Sequence, residues 1–222
     1  MSTLVYVGAN EGNSLWGIFD KFDKVYAFEP NPEVYDILRR RFMQFEWVTL
    51  INAACSTEDG ETDLYVTPNL VSSSLSDVNT EKYGGDPAAR KVTVKTLNLN
   101  NYLKEEDVDV IDLYYSDCQG SDLLILKTIQ EYVDNKKIGQ LYIETHGDGV
   151  ELYKGLDNQF SGFKKVLSEN YKFEYASLGR LNGAIKSENE AEDLKSELNK
   201  LREDSCEIFS LDLNDFEEVK EL

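Results

Sequence analysis

A pair of glycines follows the first apolar run of the sequence, in Gly8-Ala9-Asn10-Glu11-Gly12, and a carboxylate, Glu29, closes the second, in KVYAFE. Three more ionisable residues, Asp117, Glu144 and His146, stand at the ends of later apolar runs. These residue types suit two kinds of chemistry. A carboxylate about 20 residues beyond a glycine turn, at the end of a second strand, accepts hydrogen bonds from both hydroxyls of a ribose. Carboxylates and an imidazole gathered in one crevice take up and deliver protons. The turn itself departs from the G-x-G-x-x-G pattern that lets backbone approach a pyrophosphate. Asn10 replaces the middle glycine, the last gap is one residue shorter, and Glu11 places negative charge beside any phosphate held at the following helix start. A ligand without phosphate, with a nucleoside at one end and an amino acid at the other, accepts the same turn. S-adenosylmethionine is such a ligand.

The elements that must position these residues follow from hydropathy. Residues 3–8 and 24–29 read as buried strands of a parallel sheet, with Leu15, Ile18, Phe19 and Phe22 at helical spacing between them. Pro32 suits a first helical turn, and Val34, Ile37, Leu38 and Phe42 share one face of the helix it opens. A third strand is expected at 47–54. Residues 60–68 and 90–97 alternate as an antiparallel pair, and the polar loop 68–90 between them is long enough to be a lid. Strands at 108–117, 138–145 and 171–178 alternate with helices near 121–134 and 158–169, and 179–187 turns back on the last strand. A charged amphipathic helix over 188–203, with a stripe of Leu194, Leu198 and Leu201, and a closing strand over 206–212 complete one domain over 1–222. Such alternation predicts an α/β fold, a mostly parallel sheet with helices on both faces and a β-hairpin insertion. Ligands of such sheets sit beyond the carboxyl ends of the strands, where the strand order reverses.

The formal net charge of −19 argues against nucleic acid and anionic membrane surfaces as partners. No apolar run approaches the roughly 18 residues of a membrane span, and no basic-then-apolar leader opens the chain. Cys55, Cys118 and Cys206 form no CxxC pair, which fits free thiols in a reducing compartment and a soluble, cytoplasmic protein.

The segments VGANEG, YAFEPNPEVYDIL, INAACSTEDGETDLYV, SSSL, VKTLNLNNYL, IDLYYSDCQGSDLLILK and LYIET together resemble, in order and over roughly residues 4–146, the successive motifs of FkbM-like methyltransferases. The resemblance implies a Rossmann-like class I methyltransferase fold with a seven-stranded sheet, and O-methylation of a sugar or glycosylated acceptor with S-adenosylmethionine as donor, leaving S-adenosylhomocysteine. It places Gly8, Asn10 and Gly12 at the methionine part of the cofactor, Glu29 and Pro30 at the ribose, Ala53 and Ala54 at the adenine, and Ser73 or Ser74 over the top. Two departures stand out. Where the family has a KIDxEG-like run, this sequence has Tyr115-Ser116-Asp117-Cys118-Gln119-Gly120, and the helical segment that commonly precedes the first strand is missing. Substrate selection is therefore expected from elsewhere, with a neighbouring glycosyltransferase domain or protein as a candidate partner.

Asp117, Glu144 and His146 are expected to converge in front of the transferred group, with Asp117 also beside the cofactor and Asp117 and His146 as the acid–base pair. Each has a plainer alternative: a helix cap for Asp117, a structural hydrogen-bond acceptor for Glu144, an ordinary hydrogen-bonded residue for His146. A divalent metal on these three is chemically open, but no spacing motif supports it, so no metal ligand is assigned. Arg39, Arg40 and Arg41 read as a solvated face, Tyr114 as core and Tyr115 as sharing a face with Asp117. The competing readings are an NAD(P)-binding oxidoreductase, disfavoured by Asn10, and a catalytically inactive cofactor-binding interaction module, for which Gln119 is the best support.

Overall fold

Thr3–Val7 (β1) is buried at every residue, as a strand covered on both faces must be. In the computed structural model, which describes residues 1–167, 170–178 and 181–189, successive β1 residues feed two cores. Val5 and Val7 join Tyr26, Phe28 and Tyr114 on one face; Leu4 and Tyr6 join Leu15, Leu38 and Phe42 on the other.

The chain continues through a short helix, Asn13–Trp16 (α1), into Lys24–Phe28 (β2) and Pro32–Phe42 (α2). Asn31 caps α2 by accepting from the Glu33 N–H at 3.1 Å, Pro32 opens it, and Val34, Leu38 and Phe42 form its buried stripe. Val48–Ile51 (β3) and Ala54–Ser56 (β4) follow, then Gly60–Val66 (β5), the turn of helix Thr80–Tyr83 (α3), Arg90–Asn98 (β6) and Leu99–Glu105 (α4). Ile111–Ser116 (β7), Asp122–Thr128 (α5), Gln130–Asp134 (α6), Ile138–His146 (β8), Phe160–Leu167 (α7), Tyr171–Ser177 (β9) and Asn182–Asn189 (β10) complete the described chain.

Among the described residues the main sheet has seven strands in the order β3-β2-β1-β7-β8-β10-β9. All neighbours up to β8 are parallel, and β10 lies antiparallel between β8 and β9. The order reverses between β1 and β7, so the crevice for a ligand lies beyond Val7 and Ser116. This is the expected mixed α/β architecture. The hairpin insertion is also present: β5 and β6 pair antiparallel from Gly60↔Thr96 to Val66↔Arg90, and β4 adds to β6 in parallel.

Four expected elements differ in detail. The helix expected from the spacing of Leu15, Ile18, Phe19 and Phe22 is two separate turns, α1 and a 3-10 turn at Phe19–Lys21, because Gly17 ends the first and the Trp16 and Phe19 rings are both drawn onto Phe42 and Phe45. The strand over 47–54 divides into β3 and β4. Its break is Asn52, whose side chain donates to the carbonyls of Glu29 and Pro30 at 2.8 and 3.2 Å and turns the chain from one sheet to the other. The helix over 121–134 breaks at Ile129 into α5 and α6. At the end, Glu188 and Asn189 belong to β10 rather than to a helix; the rest of the 188–203 helix, with Leu194, Leu198 and Leu201, and the 206–212 strand with Cys206 lie outside the described residues.

One backbone contact fixes the crevice. A Cβ built on Gly8, at φ +80, would lie 1.9 Å from the Asp117 carbonyl oxygen. The turn after β1 and the turn after β7 therefore touch backbone to backbone, which only glycine permits. Gly8→Ala is expected to cost about 3 kcal/mol or more, roughly a 10 °C fall in the thermal midpoint. A melting curve superposable on that of the native sequence would refute this contact.

Candidate active site

Beyond the switch point lies a small cleft. Its wall includes Gly8, Asn10, Glu29, Pro30, Ala53, Ala54, Ser73, Ser74 and Asp117. The structure thus brings together the residues singled out for cofactor binding, with one exception. Gly12 does not line the cleft, and a Cβ there would meet Phe42 at 2.5 Å and Leu38 at 2.7 Å, so this glycine serves the packing of α2.

Glu29 is buried, and its two carboxylate oxygens hold the two turns that flank it: one accepts the Asn10 N–H at 2.9 Å, the other the Asn31 N–H at 2.8 Å. Burial pushes the carboxyl up to about 7, against the opposing pull of those two N–H groups. Asn10 sits at φ 49, a left-handed conformation that asparagine tolerates, and its side chain accepts from the Glu11 N–H at 2.7 Å. Arg41 is not simply solvated: its guanidinium donates to the Glu11 carbonyl at 2.7 Å and to Asn13 at 2.5 Å, tying the end of α2 to this turn.

On the other side of Gly8, Asp117 does not cap α5. The Leu123 N–H in the first turn of α5 is accepted by the Asn158 side chain at 2.9 Å, while the Asp122 carboxylate accepts the Cys118 N–H at 2.9 Å, the Ser116 hydroxyl at 2.5 Å and the Asn158 amide at 3.1 Å. Asp117 is left to face Glu144, and the Gln119 amide nitrogen donates to both, at 2.6 and 3.3 Å. Asn182 donates to the second Glu144 oxygen at 3.4 Å. Burial raises both carboxyls, Asp117 to about 6 with a further push from Asp122, and Glu144 well above the usual range with a push from Asp117. Two buried acids this close resist ionising together, which favours one proton between them near neutrality. Below them Tyr6, Tyr115 and Tyr142 stack across β1, β7 and β8 with centroids 4.2 and 4.7 Å apart, so Tyr115 does share the Asp117 face as expected, while Tyr114 lies in the core.

His146 does not converge with the carboxyl pair on the cleft. It is wholly buried, neither ring nitrogen has a hydrogen-bond partner, and its ring lies against Tyr153 with centroids 5.8 Å apart. Burial holds its pKa below the usual histidine value. The reason is the 147–159 segment, which folds back so that the Asn158 carbonyl accepts the His146 N–H at 2.7 Å and Tyr153 covers the ring. Among the described residues no group of three His, Cys, Asp or Glu side chains comes together as metal ligands.

The sequence reading missed three residues. Ser121 lines the cleft with a buried hydroxyl that has no partner. Gln119, read as a loss, bridges the two acids, and Tyr153 donates to its amide oxygen at 2.6 Å. The long 68–90 loop roofs this end of the sheet. Ser74 donates to the Gln119 carbonyl at 2.6 Å, and the Asn79 N–H donates to the Leu152 carbonyl at 2.8 Å. Among the described residues, no helix is long and apolar enough to cross a membrane.

The Methyltransferase FkbM domain family matches residues 7–175 of this sequence. The chain belongs to that family. Methyltransferase FkbM from Methylobacillus flagellatus KT is similar in structure, with a TM-score of 0.53 and 15% identity over 84% of this chain. This chain spans 43% of that one, so less than half of its length is represented. An rRNA methylase from Streptococcus thermophilus aligns with a TM-score of 0.48 and 12% identity, over 85% of this chain and 86% of the other. TrmK from M. capricolum, solved with S-adenosylhomocysteine, aligns with a TM-score of 0.44 and 13% identity, over 88% and 68%. A search of curated proteins finds no match.

The raised Glu29 carboxyl sets a sign for the binding of a ligand that hydrogen-bonds to it. Ribose hydroxyls donating to Glu29 would favour its ionised form, so that binding would expel a proton and tighten as pH rises through about 7. The dissociation constant of S-adenosylhomocysteine is expected to fall severalfold between pH 6 and 8, and Glu29→Gln to be weaker and nearly flat. Calorimetry showing equal pH dependence in both proteins would remove Glu29 from the ribose.

Proposed function

We propose that the chain transfers a methyl group from S-adenosylmethionine to a hydroxyl of a sugar or glycosylated acceptor. The observation that carries this reading is the placement of two different carboxyl sites on either side of Gly8: the single acid Glu29 at the end of β2, and the Asp117–Glu144 pair beyond β7 and β8.

The lining of the cleft supports such a donor. No Lys or Arg side chain lines it, which suits a sulfonium and not a pyrophosphate. The unpartnered Ser121 hydroxyl offers a hydrogen bond to a ligand. Glu29 would hold the ribose hydroxyls, Ala53 and Ala54 the adenine, and Asn10 with Asp117 the amino-acid end, under Ser73 and Ser74. When bound, the sulfonium supplies an electrophilic methyl for in-line displacement.

The remaining work is alignment and removal of one proton. Glu144, raised further than Asp117, keeps the shared proton at neutral pH, and Asp117 is left as the carboxylate that accepts the proton of the attacking hydroxyl. Gln119 keeps the two acids in contact, which favours an active enzyme over an inactive module despite the departure from KIDxEG. A net charge of −19 favours a glycan over a nucleic acid as acceptor.

Asp117→Asn is expected to lower methyl transfer on the order of 100-fold or more. The assay follows radiolabelled methyl from S-adenosylmethionine onto a panel of glycans. Undiminished transfer by this variant would exclude Asp117 as base, and transfer by the native protein to RNA but to no glycan would overturn the acceptor class.

A further inference from the structure

Tyr153 lies 34 positions from Gln119 and is not part of the cleft wall, yet its phenol donates to the Gln119 amide oxygen at 2.6 Å. A glutamine amide is nearly symmetric in shape, and only its nitrogen can donate. At this position the nitrogen serves Asp117 and Glu144 at once. Turned over, the amide would set its oxygen against two acids that carry one proton between them. The phenol opposes that turn: burial and the nearby carboxyls raise its pKa, so it remains a donor.

Tyr153 is itself held from three sides. Its ring stacks on the buried His146. A Cβ at Gly120 would lie 2.7 Å from the same ring, so glycine there admits it. Its backbone bridges to Val78 in the roof loop, and the flanking Lys154 N–H donates to the Asp77 carbonyl at 2.9 Å.

We propose that Tyr153 is a positioning residue: acting through Gln119, it holds the Asp117–Glu144 pair in the arrangement that receives the acceptor's proton. This rests on the reading of Asp117 as the base. The other groups facing the pair are Asp122 from α5, Asn182 from β10, and Tyr6, Tyr115 and Tyr142 from the sheet, with Lys186 beyond Tyr142.

The test needs neither methyl donor nor acceptor, so failure of the activity reading leaves it intact. The full chain is labelled with 13C at Asp and Glu carboxyls, the two signals are assigned with Asp117→Asn and Glu144→Gln, and the pair is titrated by NMR. Tyr153→Phe keeps the ring and removes the hydroxyl. Its lower midpoint is expected to rise by about half a pH unit or more, because the amide no longer steadily favours ionised Asp117. Gln119→Leu should raise the midpoint at least as far, and Tyr153→Phe added to Gln119→Leu should change nothing more. A Tyr153→Phe titration superposable on the native one, or a shift that adds in full to that of Gln119→Leu, would overturn the proposal. Should Tyr153→Phe not fold, the native protein decides: the Gln119 side-chain amide protons must exchange slowly with solvent, and fast exchange contradicts the proposal.

Discussion

The site depends on one carboxylate satisfying two backbone N–H groups. Glu29 reaches forward to Asn31 and across to Asn10, so a single buried side chain holds both the turn after β1 and the entry to α2. A buried acid is costly unless hydrogen-bonded, and these two bonds make its burial tolerable while leaving lone pairs free toward the cleft. Asn52 adds a third tie by binding the carbonyls of Glu29 and Pro30 from the end of β3. The wall of the cleft is thus assembled from three strand ends at once.

The opposite wall obeys a different rule. Asp117 and Glu144 share one amide donor, that of Gln119, and Asn182 adds a second to Glu144. Their proximity is enforced by the parallel pairing of β7 with β8, which carries Ser116 opposite Ile143 and so brings the next residues of both strands side by side. Burial alone raises an acid at either position, and the neighbouring carboxyl adds to the push on Glu144. The roof loop and the 147–159 segment meet above them, so closure of the crevice and the arrangement of the acids are parts of one network.

Much of this was legible in the sequence because buried parallel strands read as apolar runs, and an acid at the end of such a run has few places to go. Glu29, Asp117 and Glu144 were found on that ground. Glu144 and His146 stand two residues apart on β8 and so share a face of that strand, but alternation says nothing about what later folds over that face. Tyr153 covers His146 from a segment without periodicity, and the sequence carried no signal for it. Gly12 was assigned to the ligand by its place in a motif, whereas its neighbours Leu38 and Phe42 come from a helix 26 and 30 positions on, a contact that only packing reveals. The split of the third strand had one local cue, an asparagine between apolar residues, whose meaning depends on carbonyls 22 and 23 positions away.

The central claim is that Glu29 receives the ribose of a methyl donor while the Asp117–Glu144 pair faces its sulfur. A crystal structure with S-adenosylhomocysteine tests this most directly. The account predicts both ribose hydroxyls within hydrogen-bond distance of the Glu29 carboxylate and the thioether turned toward Asp117. A ligand whose ribose lies away from Glu29, or whose sulfur faces away from the two acids, would contradict it.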